Sequence, residues 1–226
     1  MAKLRKTTDV RCPVCGHAFR VPNTGSHVTL GRESDLCPRL PGRQSDGARA
    51  LRAEATMCPR CSFAALEDFD ELDFSSELRY SIESLLEDDG LIKVFRESDP
   101  PWLAFHSAEA CGKERNLSAR ELGDLCLRAS WVCRKERERP FENTFQLRAV
   151  RHFMRSLERD SLEGRELSVT TYLVGELNRR LGHHREALNW YVNAGKTLEE
   201  NERNESLGWL ERMIETQSRL AEEEAA

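Results

Sequence analysis

CPVCGHAF (12–19) and CPRCSFAALEDF (58–69) are two versions of one local pattern, a pair of cysteines two residues apart with a Phe close behind. A two-residue gap lets both sulfurs of a pair converge on one ion at about 2.3 Å, and the tight turn aims backbone N–H groups at the thiolates. Pro13 and Pro59 preset φ for that turn. Gly16, behind the first pair, permits a positive φ; Ser62 stands in the same place behind the second pair and fits it less comfortably. Together the pairs complete a four-thiolate set, the closed coordination of a structural zinc site with no position left open for catalysis. The expected ligands are Cys12, Cys15, Cys58 and Cys61, holding one Zn²⁺.

The pairs are separated by 42 residues, a long gap that is tolerated because closure entropy grows slowly with loop length. The competing reading, two redox-active dithiols, lacks a βαβ pattern around either pair. Cys37, in SDLC (34–37), is a candidate extra or substitute ligand, whereas His17 and His27 read as surface or supporting residues. Val10, Phe19 and Val21 alternate with polar neighbours, which predicts a short hairpin with CPVCGH at its turn. Residues 22–50, rich in Gly, Pro, Ser, Asp and Arg, read as an irregular excursion. A zinc-ribbon-like β module over 1–70 is the resulting expectation.

Beyond Cys61 the patterning becomes helical, and 71–226 is expected to form a second, α-helical domain. Ser75 or Ser76 caps a helix carrying Leu78, Ile82, Leu85 and Leu86, with Gly90 as its stop; LIKVF (91–95) reads as a strand or a connector. Pro100 and Pro101 start a helix that takes Trp102 and Phe105 to the core. Ser118 and Glu121 form a capping box, and Leu122, Leu125, Cys126, Ala129 and Cys133 follow on one stripe. The last two are therefore packing residues, as is Cys111. Helices over about 141–160, 165–181, from His183 onward, and 203–223 complete the chain, joined by short turns that make antiparallel hairpins. Gly175, Ala187, Tyr191 and Ala194 occupy the small and aromatic positions of a tetratricopeptide-like repeat, with the last helix as its cap. His183 and His184 are read as exposed turn residues, since neighbours in sequence point to different helix faces.

These motifs resemble a bacterial family known as domain of unknown function 2225. The similarity rests on CPVCGHAF (12–19), SDLC (34–37), CPRCSFAALEDF (58–69) and ELGDLCLRASWVCRKE (121–136). The chain departs from that family at Ser62, where Gly is usual, and lacks its Tyr and Asn-Pro elements between the pairs. The resemblance implies an amino-terminal zinc-ribbon-like segment followed by tetratricopeptide-like helices, and it implies no activity.

Charge is unevenly distributed. Residues 1–65 hold 11 Lys and Arg against 5 Asp and Glu; the remainder hold 23 against 34, giving a net charge of −5. The basic head is too sparse for a strong nucleic-acid binder. No apolar run reaches membrane-spanning length, and the start lacks the apolar core of a secretory signal, so a cytoplasmic protein without membrane contact is expected. Nucleophile elbow, phosphate-cradling Gly loop and HExxH motif are all lacking, so the expectation is a non-enzyme. Glu67, Asp68, Asp70, Glu71 and Asp73, and the run 87–89, read as solvated helix ends. The leading functional reading is a scaffold that binds a protein or peptide through its helices. Its alternatives are a nucleic-acid-associated ribbon using Arg20, Arg32, Arg39, Arg43, Arg49 and Arg52, and a redox sensor using Cys37.

Overall fold

The chain begins as paired strands and ends as stacked helices; the computed structural model describes residues 7–22, 29–41, 44–200 and 207–225. Strands β1 (Thr7–Arg11) and β2 (Ala18–Pro22) form the expected hairpin, with Val10 opposite Phe19 and Thr8 opposite Val21. The excursion that follows is more ordered than its composition suggests. Arg32 and Pro38 form an isolated antiparallel bridge, and helix α1 covers Gln44–Arg52. Both lean on apolar residues spaced too sparsely to register as periodic, among them the buried Leu36, Ala48 and Leu51. His27 and Arg43 lie outside the described residues. Two-residue strands β3 (Thr56–Met57) and β4 (Ala64–Ala65) flank the second cysteine pair, and a single 3₁₀ turn at Phe69–Glu71 leads into the helices.

The architecture is mainly α. Helix α2 (Ser76–Asp88) is capped by Ser75, whose side chain accepts from the Leu78 amide at 3.2 Å, and it buries Ile82 and Leu86. LIKVF is neither strand nor connector: it lies in helix α3 (Gly90–Phe95), which Gly90 opens rather than stopping α2. The reason is Asp89, whose carboxylate accepts from the amides of Leu91 and Ile92 at 2.9 and 3.0 Å and so starts a new helix where the old one ends. Helix α4 (Leu103–Glu114) begins two residues later than the proline pair implied, with Trp102 at its cap and Trp102 and Phe105 buried. Helices α5 (Ala119–Glu136) and α6 (Arg139–Arg159) form the first long antiparallel hairpin; the Ser118–Glu121 capping box opens α5, and Pro140 sits in the first turn of α6. Helices α7 (Gly164–Arg180) and α8 (His184–Glu200) form the next, and α9 (Gly208–Ala225) packs on them. The start of the last predicted helix, 203–206, falls outside the described residues.

Glycine sets the approach distance in both hairpins. A Cβ on Gly123 of α5 would sit 2.4 Å from the Phe153 ring of α6, and one on Gly175 of α7 would sit 2.9 Å from Tyr191 of α8. The stripe predicted for α5 is buried throughout, and Cys111, Cys126 and Cys133 are core residues. Burial raises the Cys111 thiol to about 11 and the Cys126 thiol to about 12.

The excursion is tied to these helices through SDLC. Asp35 is fully buried, and Arg134 of α5 grips its carboxylate with two donors, at 2.7 and 3.1 Å. Arg180 of α7 reaches Ser34 Oγ at 2.8 Å, the Tyr172 hydroxyl donates to the Ser34 carbonyl at 2.6 Å, and Lys135 meets Glu33 at 2.6 Å. Burial opposes the Asp35 charge, yet Arg134 and Arg180 outweigh it and hold the carboxyl below its usual range.

Three substitutions test this packing. Gly123→Ala should cost about 1–3 kcal/mol in urea unfolding because the Phe153 ring has to move. Gly195→Ala in α8, where a Cβ meets nothing within 4 Å, should instead stabilise by up to about 1 kcal/mol. Asp35→Asn should cost about 3 kcal/mol at neutral pH, since it leaves Arg134 without its main counter-charge. A depressed folded-state pKa contributes stability above the ordinary carboxylate range and loses it as pH falls through the folded value. The gap between Asp35→Asn and the parent chain should therefore close in acid, as read by unfolding at a series of pH values.

Candidate metal centre

Each cysteine pair is built as a closed turn, and the two turns are made alike. The Cys12 amide donates to the His17 carbonyl at 2.9 Å and the Gly16 amide to the Cys12 carbonyl at 3.0 Å; in the second turn Cys58 donates to Phe63 at 2.8 Å and Ser62 to Cys58 at 2.9 Å. Both turns need a left-handed residue behind the pair, with φ of 69° at Gly16 and 64° at Ser62. Ser62 adopts that conformation while tied down: its hydroxyl accepts from Arg96 Nε at 3.1 Å, and its carbonyl accepts from the Ser107 hydroxyl of α4. Surrounding contacts hold the strained backbone where glycine would have relaxed it.

The turns face each other across their sulfurs. Cys12 Sγ lies 3.6 Å from Cys61 Sγ, and Cys15 Sγ lies 3.7 Å from Cys58 Sγ, so each close contact joins one pair to the other. All four sulfurs fall within 4.8 Å of one another. Ligands about 2.3 Å from a tetrahedral ion stand about 3.8 Å apart, so the spacing suits a single metal ion. It is far too long for a disulfide, and all eight cysteines are free thiols. Four sulfurs this close cannot all carry charge on their own. Proton sharing among the clustered sulfurs lowers Cys58 and raises Cys12 and Cys61. A divalent cation that engaged all four would displace the remaining protons.

An aromatic layer lies beneath the sulfurs. Phe63 packs 5.1 Å from Phe69 and 5.6 Å from Phe74, and Phe69 meets Phe19 of β2 edge-on at 6.0 Å. The Phe behind each pair thus joins the two turns. His17 stacks on Phe19 and takes no part in the sulfur group. Cys37 also lies outside that group: it is fully buried, its sulfur sits 3.8 Å from the Pro38 carbonyl, and burial pushes its thiol up to about 11.

A second convergence, Glu109, Cys126 and His152, brings three ligand types together between α4, α5 and α6. Glu109 is already matched by Lys113 at 2.7 Å, by His152 Nε2 at 2.9 Å and by Arg148. Burial and neighbouring cations lower the His152 ring to about 4. A cation would have to displace two others there, so this cluster reads as a core ion network. Several members of the acidic runs have protein partners of their own. Glu67 pairs with Arg115, Asp73 with Arg79 at 3.1 Å and Asp88 with Lys93 at 3.5 Å, while Asp89 caps α3 and meets His106 Nε2 at 3.0 Å. Neither this capping nor the Arg134–Asp35 grip was visible in sequence. An isolated acid in SDLC gives no sign of a partner a hundred residues away.

Reactivity should separate the two classes of cysteine. After chelator treatment of the folded protein, alkylation mapped by peptide mass spectrometry should label the half-buried Cys15 and Cys61 first. Cys37, Cys111, Cys126 and Cys133 should stay unlabelled until the chain is unfolded.

Comparison with known proteins places this architecture. No curated protein and no solved structure matches the chain. A family described as an uncharacterised protein conserved in bacteria, DUF2225, matches residues 6–221, a span that holds both cysteine turns, the SDLC segment and all but the end of α9. With that span covered, the chain belongs to the DUF2225 family.

Proposed function

We propose that this protein is a non-enzymatic scaffold in which one structural zinc ion clamps the amino-terminal turns and the helical hairpins bind a protein or peptide partner. The carrying observation is the tetrahedral spacing of Cys12, Cys15, Cys58 and Cys61. Four thiolates favour zinc over hard cations, and complete coordination assigns the ion a structural role. Strands of five and two residues have little strength alone, so a cross-link between the two turns is what such a segment needs. The helices support the second half of the proposal. The α7/α8 hairpin, with Gly175 against Tyr191, has the small-and-aromatic spacing of tetratricopeptide-like repeats, a type that binds partners along its groove. Thiolate ligation suits a reducing compartment, and no described helix is long and apolar enough to cross a membrane; we place its work in the cytoplasm.

The alternatives draw less support. Of the arginines that would hold nucleic acid, Arg20 is paired with Asp9 at 2.9 Å and Arg52 with Asp99. A redox sensor needs an accessible thiolate, and Cys37 is a buried thiol.

Elemental analysis of the purified protein should return about one zinc per chain, and the Cys58→Ser, Cys61→Ser double variant should lose it and unfold at a lower temperature. A metal-free yet stable parent chain overturns the clamp. Cross-linking capture from cell extract should map partner contacts to α5–α9; contacts confined to the arginine-bearing segment 20–52 and sensitive to nuclease would favour the nucleic-acid alternative.

A further inference from the structure

A cleft of about 410 Å³ opens where the excursion, α5, α7 and α9 meet, away from the four sulfurs. Its walls are partly apolar, with Leu173 of α7 and Trp209 of α9 among them, and its volume lies in the range of ligand sites, about 300–1,000 Å³. Two features of its lining are incomplete. Trp131 of α5 is only 7% exposed, and among the described residues its indole N–H has no acceptor. An orphaned buried donor of this kind is costly until an acceptor arrives.

The second incomplete feature is charge. Two guanidiniums of the lining are matched internally, Arg120 by Asp124 and Arg128 by Glu54. Arg32 from the excursion and Arg165 from the start of α7 are exposed and, among the described residues, have no ion-pair partner. Glu166, exposed beside Arg165, offsets part of this charge. Burial, with the nearby charge of Arg32, holds the Arg128 guanidinium below its usual range, so cations crowd here. Crowded cations beside an apolar wall favour a ligand that brings both negative charge and apolar surface.

We propose that this cleft binds an acidic peptide segment with interspersed apolar residues. Its carboxylates pair with Arg32 and Arg165, an apolar side chain packs against Leu173 and Trp209, and a shift of the Trp131 ring, whose Nε1 is closed to solvent in the free protein, lets a backbone carbonyl accept from it. Walls drawn from four parts of the chain suit an extended segment, and the apolar portion offers nothing to a free inorganic anion. This assignment rests on the scaffold reading above and gives it a partner class and a site.

The test uses the 226-residue protein as purified and three fluorescent synthetic peptides that alternate leucine with glutamate, glutamine or lysine. Anisotropy should show binding of the Leu/Glu peptide alone, with the tryptophan emission changing in parallel. The exposed-residue double variant Arg32→Glu, Arg165→Glu should weaken that binding by about tenfold or more and gain affinity for the Leu/Lys peptide. Equal binding of the Leu/Glu peptide to parent and variant, or no binding to the parent, overturns the proposal. So does competition by inorganic phosphate or a short oligonucleotide at concentrations matching the peptide's own affinity. Zinc content and cross-linked partners are read from the same samples. Loss of peptide binding alone moves the partner site elsewhere on the helices, whereas absence of both zinc and partners removes the scaffold reading itself.

Discussion

Two cysteine turns from distant parts of the chain meet sulfur to sulfur, and the amino-terminal third is organised around that meeting. The strands there are too short to form a stable sheet, and their pairing is local, each turn closing only on itself. What joins one turn to the other is the group of four sulfurs and the layer of Phe19, Phe63 and Phe69 beneath it. The aromatic contact is nonspecific in register. The sulfurs are specific, because a tetrahedral ion accepts only one relative placement of the turns.

The turns also rest on the helices. Ser62 is held by Arg96 and Ser107, and the excursion between the pairs is held by Arg134, Lys135, Tyr172 and Arg180 through Glu33, Ser34 and Asp35. Among the described residues, buried side chains from Cys12 to Ala221 belong to one core cluster. A rearrangement at the sulfurs would be felt along α4, and one at SDLC along α5 and α7. The cleft beside Trp131 has Arg32 from that same excursion in its lining, so the segment between the two cysteine turns also shapes the proposed peptide site.

Much of this was legible residue by residue. CPVC and CPRC announced the sulfur group because the chemistry of one ion demands that spacing. Ser118 and Glu121 announced α5, and the Leu122–Cys133 stripe its buried face, because both signals act within a few turns of one helix. LIKVF was illegible because its helix depends on Asp89, a residue that also ends α2 and binds His106 of α4. Helix α1 was hidden in a Gly- and Arg-rich stretch whose apolar residues matter only once α5 is beside them.

The amino-acid sequence alone set the ligand chemistry, the hairpin turns, the capped helix starts and the residues each helix turns inward, all features encoded over a few positions by dihedral preference and periodicity. The pairing of Asp35 with Arg134, the left-handed Ser62, the quenching of Glu109 by Lys113 and Arg148, and the cleft lined by Arg32 and Arg165 came from the assembled chain. Those depend on which groups lose water together, and desolvation is a property of neighbours brought close in space rather than of order along the backbone.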